Sequence, residues 1–144
     1  MSVTIKNYDH NAARFASGAN AVGDTYKVVL LSSSATYAAT HTTLAQVKGA
    51  NEVSGYGWAS GGEALSGVAV TTVNTDDAKW TADTLSKLIT GGNLTFRHYA
   101  IYNYTDTDGP PLCFIERTND VTFYADTNGV LTWPADGIIS LVKT

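Results

Sequence analysis

The sequence predicts a mainly β protein, a single antiparallel β-sandwich or barrel with one or two short helices and a long glycine-rich loop. Runs of β-branched and aromatic residues recur along the chain, and turn-forming clusters separate them about every 8–12 residues in its second half. The 144 residues contain no internal repeat and no linker, and this length suits one domain. We therefore expect a single β domain over residues 1–144, with 1–20 as an N-terminal arm and 33–65 as a long loop region.

The N-terminal stretch is predicted to form a short strand and then a short helix. Val3–Ile5 consists mostly of strand-forming residues. In Asn11–Gly18, alanine and arginine favour a helix, which Asn11 can cap and Gly18 can end. So short a helix needs packing from elsewhere in the molecule.

One strong strand and one helical turn are predicted next. Asp24–Ser32 is rich in β formers, and its apolar run Val28–Leu31 predicts burial on both faces of a sheet. After an irregular loop, Leu44–Lys48 can form a short helical turn that Thr42 or Thr43 caps.

The β pattern resumes at Leu65 and persists through the second half. Asn74–Asp77 is a turn cluster, so Lys79–Thr81 is predicted to be the return strand of a hairpin. Asp83–Ile89 fits helical and strand spacing alike, and Leu94–Tyr104 is the longest strand candidate. Alternation along that strand would place Phe96, His98, Ala100 and Tyr102 on one face and Arg97, Tyr99, Ile101 and Asn103 on the other.

A tight β-hairpin is predicted near the C-terminus. Asn128-Gly129, within the turn Asp126–Gly129, is the strongest short-range hairpin signal, because both residues accept positive φ. Pro134–Gly137 should turn the chain once more. The strands predicted around these turns are Leu112–Arg117, Val121–Ala125, Val130–Trp133 and Ile138–Val142.

Composition and charge argue against several classes of function. Only 15% of the residues are charged, against about 25% in typical proteins, and the net charge is −4. The nine basic residues form no stripe that could neutralise phosphates, so we expect no nucleic-acid binding. The low charge indicates either a surface that a partner covers or an exterior that is merely neutral.

Membrane, targeting and redox signals are sparse as well. No run of about 18 apolar residues predicts a membrane span, and the first residues contain no apolar signal core, so we expect synthesis and storage in the cytosol. The single cysteine, Cys113, lies in the apolar run Pro111–Ile115, which predicts a buried and unreactive thiol.

The segment Asn51–Leu65 combines four glycines with two large aromatic residues. Glycine and asparagine accept positive φ and close backbone approach. Two interpretations remain open. The segment is either an extended arm that anchors on a neighbour through Tyr56 and Trp58, or a loop folded back on its own sandwich with Trp58 closing one end of the core.

Residues able to carry chemistry do not form a recognisable motif. His10, His41 and His98 belong to no catalytic or metal-binding spacing, and no nucleophile elbow occurs. Asp106 and Asp108 lie in a glycine-containing turn that lacks the full calcium loop, so turn formation is favoured over an incidental structural ion.

A glycosidase would need two carboxylates across a cleft, and the only glutamates are Glu52, Glu63 and Glu116. Glu52 and Glu63 flank the glycine-rich segment, but sequence does not show whether they converge. We therefore predict no catalytic residue, no cofactor and no metal. The fifteen aromatic residues suit either a β core or an interface, and the candidate interface residues are Tyr56, Trp58, Tyr99, Tyr102 and Trp133.

An ordered set of short motifs resembles a family of small virion proteins of tailed bacteriophages. The set covers most of the chain, and the stretch Tyr8–Asn20 departs from the family pattern. The motifs are Tyr26–Ser32, Asn51–Gly57, Ala59–Gly62 with Leu65 after it, Trp80, Tyr99–Tyr102 and Leu131–Ile138.

This resemblance implies a non-enzymatic structural protein of the virion, most closely a capsid decoration or cement protein. Its expected location is the capsid surface, after synthesis in the bacterial cytoplasm. The expected partners are the major capsid protein and further copies of the same chain, with a homotrimer a natural solution at three-fold positions of the shell. The alternatives are a tail, neck or fibre-attachment component and, in a different class, a glycan-binding or glycan-hydrolysing module.

Overall fold

The computed structural model describes residues 3–72, 77–134 and 137–142, which form thirteen strands and two short helices. The protein is mainly β with antiparallel sheets in a sandwich-like arrangement, as predicted, and the described strands do not close into a barrel. The helices are α1 (Asn11–Ala16) and α2 (Leu44–Lys48). The strands are β1 (Val3–Asn7), β2 (Tyr26–Leu31), β3 (Glu52–Val53), β4 (Glu63–Ala64), β5 (Ala69–Thr72), β6 (Asp77–Thr81), β7 (Leu85–Leu88), β8 (Leu94–Phe96), β9 (His98–Asn103), β10 (Pro111–Arg117), β11 (Val121–Phe123), β12 (Asn128–Leu131) and β13 (Ile139–Val142).

A six-stranded antiparallel sheet, the main sheet, forms the centre of the fold. Its strand order is β1-β10-β9-β2-β3, and β4 pairs with the same edge of β2 as β3 does. The central strands β2 and β9 pair over six residues, from Tyr26 opposite Asn103 to Leu31 opposite His98. Both strands are rich in apolar and aromatic side chains, so the main sheet can be covered on both of its faces.

Three smaller antiparallel sheets contribute to the core on one face of the main sheet. They are the pair β11-β8, the pair β12-β7 and the three strands β13-β6-β5. Aromatic rings from these sheets and the main sheet meet edge to face: Tyr26 and Trp80 lie 5.0 Å apart, and Phe96 and Phe123 lie 4.8 Å apart. The fully buried members of this principal core include Val28, Leu30, Trp58, Trp80, Ile89, Phe96, Ile101, Cys113 and Ile115.

The opposite face of the main sheet is covered by α2 and by loop segments. Val47 of α2, together with Tyr8 and Ala35, packs against Leu31 and Phe114 of the sheet. These residues form a second, smaller core. The main sheet is therefore the shared layer between two hydrophobic clusters.

Two predictions about local structure are confirmed. Within the apolar run of β2, Val28 belongs to the principal core and Val29 to the second core, so both faces of the strand are buried. Thr43 caps α2, because its hydroxyl accepts the Gln46 backbone N–H at 3.2 Å. The Gln46 side chain accepts the Thr43 backbone N–H at 3.2 Å, which completes a capping box.

The described part of the predicted N-terminal arm lies on the main sheet. β1 pairs with β10 along its whole length, and α1 follows directly. The predicted cap is wrong: His10 occupies the N-cap position, and the buried Asn11 side chain instead donates to the Leu112 carbonyl at 2.6 Å. Burial against β10 explains the change, since that carbonyl needs a donor and the first turn of α1 lies beside it. Gly18, at φ +79°, follows the end of α1 as predicted.

The prediction of one continuous strand over Leu94–Tyr104 is wrong. This stretch is divided into β8 and β9, which belong to different sheets, and Arg97 between them donates its backbone N–H to the Leu31 carbonyl at 2.9 Å. Because the break shifts the alternation, Phe96 joins Tyr99 in the principal core instead of the face that carries Tyr102.

The predicted hairpin at Asn128-Gly129 is also wrong. These residues lie inside β12, which pairs with β7, whereas β11 pairs with β8. The chain turns earlier, at Tyr124–Thr127, where Asp126 has φ +63° and the Thr127 N–H donates to the Tyr124 carbonyl. Glycine is required at 129 for a packing reason, because a Cβ there would lie 2.4 Å from the Phe123 ring.

The remaining predictions concern shorter elements. β5 and β6 pair as the predicted hairpin. Of the predicted turn Asn74–Asp77, residues 74–76 lie outside the described residues, and Asp77 is the first residue of β6. The ambiguous stretch 83–89 contains strand β7 rather than a helix. The long loop region 33–65 contains α2 and the two short strands β3 and β4.

Candidate functional site

A two-residue hairpin turn gives the glycine-rich segment its shape. Gly55 and Trp58 exchange two backbone hydrogen bonds, of 2.8 and 2.9 Å, around Tyr56 and Gly57. Both central residues have positive φ, +53° and +99°, which is the signature of a type I′ turn. The segment therefore returns on itself.

Glycine lets this segment approach the neighbouring strands very closely. A Cβ at Gly57 would lie 2.6 Å from the Leu88 carbonyl oxygen, and one at Gly62 would lie 2.2 Å from the Val28 carbonyl oxygen. No side chain fits at either distance. Gly57 and Gly62 thus mark two places where the segment is pressed against the fold.

Trp58 lies inside the principal core of its own chain. Only 1% of its surface is exposed, and its ring centroid lies 6.0 Å from that of Phe123. Its indole N–H has no hydrogen-bond partner. The segment is thus folded back on the sandwich, which is the second of the two interpretations, with Trp58 as a core residue.

Tyr56, the other aromatic residue of this turn, is 49% exposed. Its ring covers Gly92, where a Cβ would come within 2.4 Å of it. Of the two candidate interface residues in this turn, Tyr56 is therefore exposed to a partner and Trp58 is buried.

Tyr102 is a buried residue of the second core. Its hydroxyl donates to the Gly61 carbonyl, and burial, with smaller contributions from Glu52 and Tyr104, raises its pKa to about 12. The hydroxyl therefore stays protonated in neutral solution. This contact fastens the glycine-rich segment to β9.

Tyr99 and Trp133, which are far apart in sequence, both line one pocket, although Tyr99 itself is buried in the principal core. Their ring centroids lie 6.2 Å apart, and the Trp133 indole N–H donates to the Asp83 carbonyl at 3.0 Å. The pocket has a volume of about 360 Å³, within the range of small-molecule sites. Its lining residues are Val3, Tyr99, Arg117, Val130, Leu131, Thr132, Trp133 and Pro134. Sequence reasoning missed Arg117, because no motif surrounds it.

An exposed neutral surface lies on the outward side of β7 and β12. Its four positions are Ser86, Leu88, Asn128 and Val130, which we call the ribbon face. Leu88 is 52% exposed and Val130 is 46% exposed. The two are diagonal neighbours across the strand pair, since Leu88 lies opposite Asn128. None of the four side chains is charged.

Two turns flank the ribbon face and add exposed aromatic residues. The Thr90 N–H donates to the Tyr56 carbonyl at 2.8 Å on one side, and the Ile89 N–H donates to the Thr127 carbonyl at 2.9 Å on the other. Tyr124, at the start of that second turn, is exposed as well. Sequence reasoning identified Tyr56 but missed Tyr124 and Leu88, although strand alternation in β7 could have indicated Leu88.

The two carboxylates that flank the glycine-rich segment do not converge. Glu52 lies opposite Leu31 and Glu63 lies opposite Val28 on the same edge of β2. Because Leu31 and Val28 are an odd number of residues apart, the two glutamates point to opposite faces of the sheet. Glu52 and Glu63 therefore cannot flank one glycosidic bond.

Each glutamate also has a cationic partner. Lys48 lies 2.9 Å from Glu52, Lys87 lies 2.8 Å from Glu63, and Lys6 lies 2.9 Å from Glu116. Glu52 additionally accepts the Gly61 backbone N–H at 2.5 Å. The three ion pairs therefore have structural roles: they join α2 to β3, β7 to β4, and β1 to β10.

Structural contacts hold three further candidate groups, Asp106, Asp108 and His98. Asp106 pairs with Arg14 of α1, and Asp108 occupies the turn with φ +67°. His98 Nδ1 accepts the Arg117 backbone N–H at 3.2 Å, and burial lowers the pKa of His98. Cys113 is buried as predicted, and burial raises its pKa to about 12.

Across residues 3–72, 77–134 and 137–142, no three potential metal ligands cluster. Within the same residues, neither helix is long and apolar enough to cross a membrane. Comparison of the chain with protein-family models, curated proteins and solved structures found no match.

Proposed function

We propose that this chain is a non-enzymatic structural protein of a tailed-phage virion that binds the outer capsid surface and stabilises the head. The ordered motifs from Tyr26–Ser32 to Leu131–Ile138 support the virion assignment by resemblance. The single structural observation that carries the binding role is the ribbon face, which presents exposed apolar side chains without charge.

A neutral apolar surface of this kind suits attachment to a protein shell. Leu88, Tyr56 and Tyr124 are large side chains whose apolar surface is favourably removed from water when a partner covers it. A standard interface buries about 1,600 Å² in total, more than the ribbon face can supply alone, so neighbouring surfaces must contribute. Many identical copies on a symmetric shell would add avidity to each modest contact.

Attachment to a tail, neck or fibre is the alternative within the same class. It uses the same kind of surface, so copy number separates the two locations. A decorated head carries hundreds of copies, whereas a neck or fibre junction carries about 3 to 12. Electron cryo-microscopy of the parent particle counts them, and absence of the chain from the virion would overturn the proposal.

A binding assay tests the ribbon face itself. Purified chain carrying Leu88→Ser with Tyr124→Ser should bind head shells stripped of this protein about 10- to 100-fold more weakly. Only about half of each side chain is exposed for a partner to cover, which leaves about 0.8–1.5 kcal/mol from each. Co-sedimentation with the shells measures the affinity.

The matched control is Val22→Ser, which removes an equally exposed apolar side chain outside the ribbon face. It should leave shell binding unchanged, and all variants should keep the wild-type melting temperature within the range typical of surface substitutions. Equal binding by the double variant and the wild type would exclude the ribbon face as the contact.

Oligomeric state is a separate expectation. Three-fold positions on a shell favour a homotrimer, and light scattering of the purified chain measures the mass directly. If light scattering gives the mass of a monomer, the trimer must assemble on the shell itself, where neighbouring subunits hold three copies together.

A further inference from the structure

The pocket beside β1, β10 and β12 has walls of two chemical kinds. Val3, Leu131 and Pro134 are apolar, and the rings of Tyr99 and Trp133, 6.2 Å apart, add aromatic surface to the lining. The Trp133 ring is fixed by its hydrogen bond to the Asp83 carbonyl, so this wall is formed before any ligand binds.

Arg117 is the charged group of the pocket, at the end of β10. Its backbone N–H donates to His98, and its side chain interacts with the Tyr99 hydroxyl, which opposes the rise that burial causes in the pKa of Tyr99. Its Nε, however, is buried and has no hydrogen-bond partner. A buried guanidinium donor without an acceptor is costly, and it marks a position where an acceptor would be favourable.

The acidic residues near Arg117 in sequence form ion pairs with other basic residues. Neighbouring Glu116 pairs with Lys6, and Asp120 pairs with Arg97 at 2.8 Å. Among the described residues, no carboxylate forms an ion pair with Arg117, and no described residue that lines the pocket is acidic. Within the part of the chain that the structure describes, the pocket therefore combines apolar and aromatic walls with a positive charge that no carboxylate pairs with.

We propose that this pocket binds an organic carboxylate, with its anionic group on the Arg117 guanidinium and its carbon skeleton between Trp133 and the apolar wall. Carboxylate is the best match because guanidinium donates to it through two parallel N–H groups. The ligand is either a free small acid or the carboxylate of a bound polypeptide. The site adjoins the ribbon face through Val130, which lines both.

A titration with two small probes tests the charge requirement without any variant. Phenylacetate and its neutral amide, phenylacetamide, have the same ring and nearly the same size, and they differ in the negative charge and in one acceptor oxygen that the amide replaces with an NH₂ donor. The acid should shift the NMR signals of the Trp133 indole N–H and of residues 130–132, and should bind about 10- to 100-fold more tightly than the amide. Equal binding of the two, or no shift at about 10 mM, would overturn the proposal.

Substitution of the arginine tests its role. Arg117→Gln should weaken phenylacetate binding about 10- to 100-fold and should bring it to the level of phenylacetamide. The control Arg97→Gln removes the same charge from an exposed pair with Asp120 and should leave phenylacetate binding unchanged. Undiminished binding by a folded Arg117→Gln variant would contradict the assignment.

Two further probes distinguish the sources of the carboxylate. A tetrapeptide ending in phenylalanine, compared with its C-terminal amide, represents a polypeptide, and glucuronate represents a free sugar acid. Tighter binding of the peptide acid indicates a polypeptide carboxylate, and tighter binding of glucuronate indicates a free acid. Because these titrations use only the chain and small molecules, their outcome is independent of the shell-binding experiment.

Discussion

Two tryptophan-bearing segments of this protein use the same residue type in opposite ways. In Asn51–Leu65, Trp58 is buried in the principal core, and the backbone around it touches strands β2 and β7. In the segment after β12, Trp133 is only partly buried and stands at an open pocket, held by one hydrogen bond to Asp83. The first segment completes the core, while the second leaves a ring accessible to a ligand.

The difference shows that a large aromatic residue near glycine does not by itself indicate an interface. Gly57 and Gly62 lie where a Cβ would collide with a neighbouring carbonyl, so their role is close packing rather than flexibility. Trp133 also has a close-packed glycine four residues away on each side, Gly129 and Gly137, yet its ring stays partly exposed. Close-packed glycine near a tryptophan thus does not decide whether the ring is buried.

The largest expected effect is that of Trp58→Ala. Removing a fully buried tryptophan should lower the free energy of unfolding by about 3–5 kcal/mol, because a cavity replaces its contacts with Phe123 and the rest of the core. Urea denaturation followed by circular dichroism measures it. A loss below about 1 kcal/mol would mean that Trp58 packs elsewhere in solution, as an arm would.

Gly62→Ala should have the next largest effect and lower the free energy of unfolding by about 2–3 kcal/mol. The added Cβ would overlap the Val28 carbonyl, and the φ of +95° is strained for alanine. Gly55→Ala is the matched control in the same segment, since its φ is also positive but no atom lies within 4 Å of the added Cβ. Thermal melting should show the smaller loss for Gly55→Ala. Equal losses would attribute the effect to φ alone.

Trp133→Ala should lower the free energy of unfolding by about 1–2 kcal/mol, well below the loss for Trp58→Ala. The ring is already partly exposed, and its removal takes away one hydrogen bond. The two variants can be compared in the same urea series. If Trp133→Ala proved as damaging as Trp58→Ala, the pocket wall would be part of the core and the contrast between the two segments would fail.

The smallest effect is expected for Tyr56→Ser, within about 0.5 kcal/mol of wild type, because half of the side chain is in solvent. Tyr124→Ser, also exposed, is its control on the second turn beside the ribbon face. Differential scanning calorimetry of both variants checks the result. A large loss for Tyr56→Ser alone would show that its cover over Gly92 supports the fold.

Local patterns were sufficient where a strand or cap depends on adjacent residues. The apolar run of β2 predicted burial on both faces, and Thr43 was among the two predicted caps of α2. Local patterns gave the wrong prediction where residues distant in sequence determine strand pairing and packing. Asn128-Gly129 has the composition of a turn, but Gly129 is needed under the Phe123 ring, and β12 pairs with β7 instead of β11.

The candidate site was predicted only in part. Tyr99 and Trp133 were both named from composition, but nothing in the sequence places them beside each other or beside Arg117. An arginine at the end of an apolar strand has no distinguishing neighbours. Its significance depends on which carboxylates lie within reach, and this is a property of the folded chain.

The sequence alone determined that this is a β protein with a lone buried thiol, few charges, a central strand apolar on both faces and one or two short helical segments. These features depend on side-chain type and on spacing within a few residues, which the chain carries in any conformation. Tertiary structure decided which strands pair, that Trp58 faces its own core, and that Glu52 and Glu63 point apart. It also brought Arg117 to the rings of Tyr99 and Trp133, because packing between distant strands is selected by the total burial of the whole core rather than by any local signal.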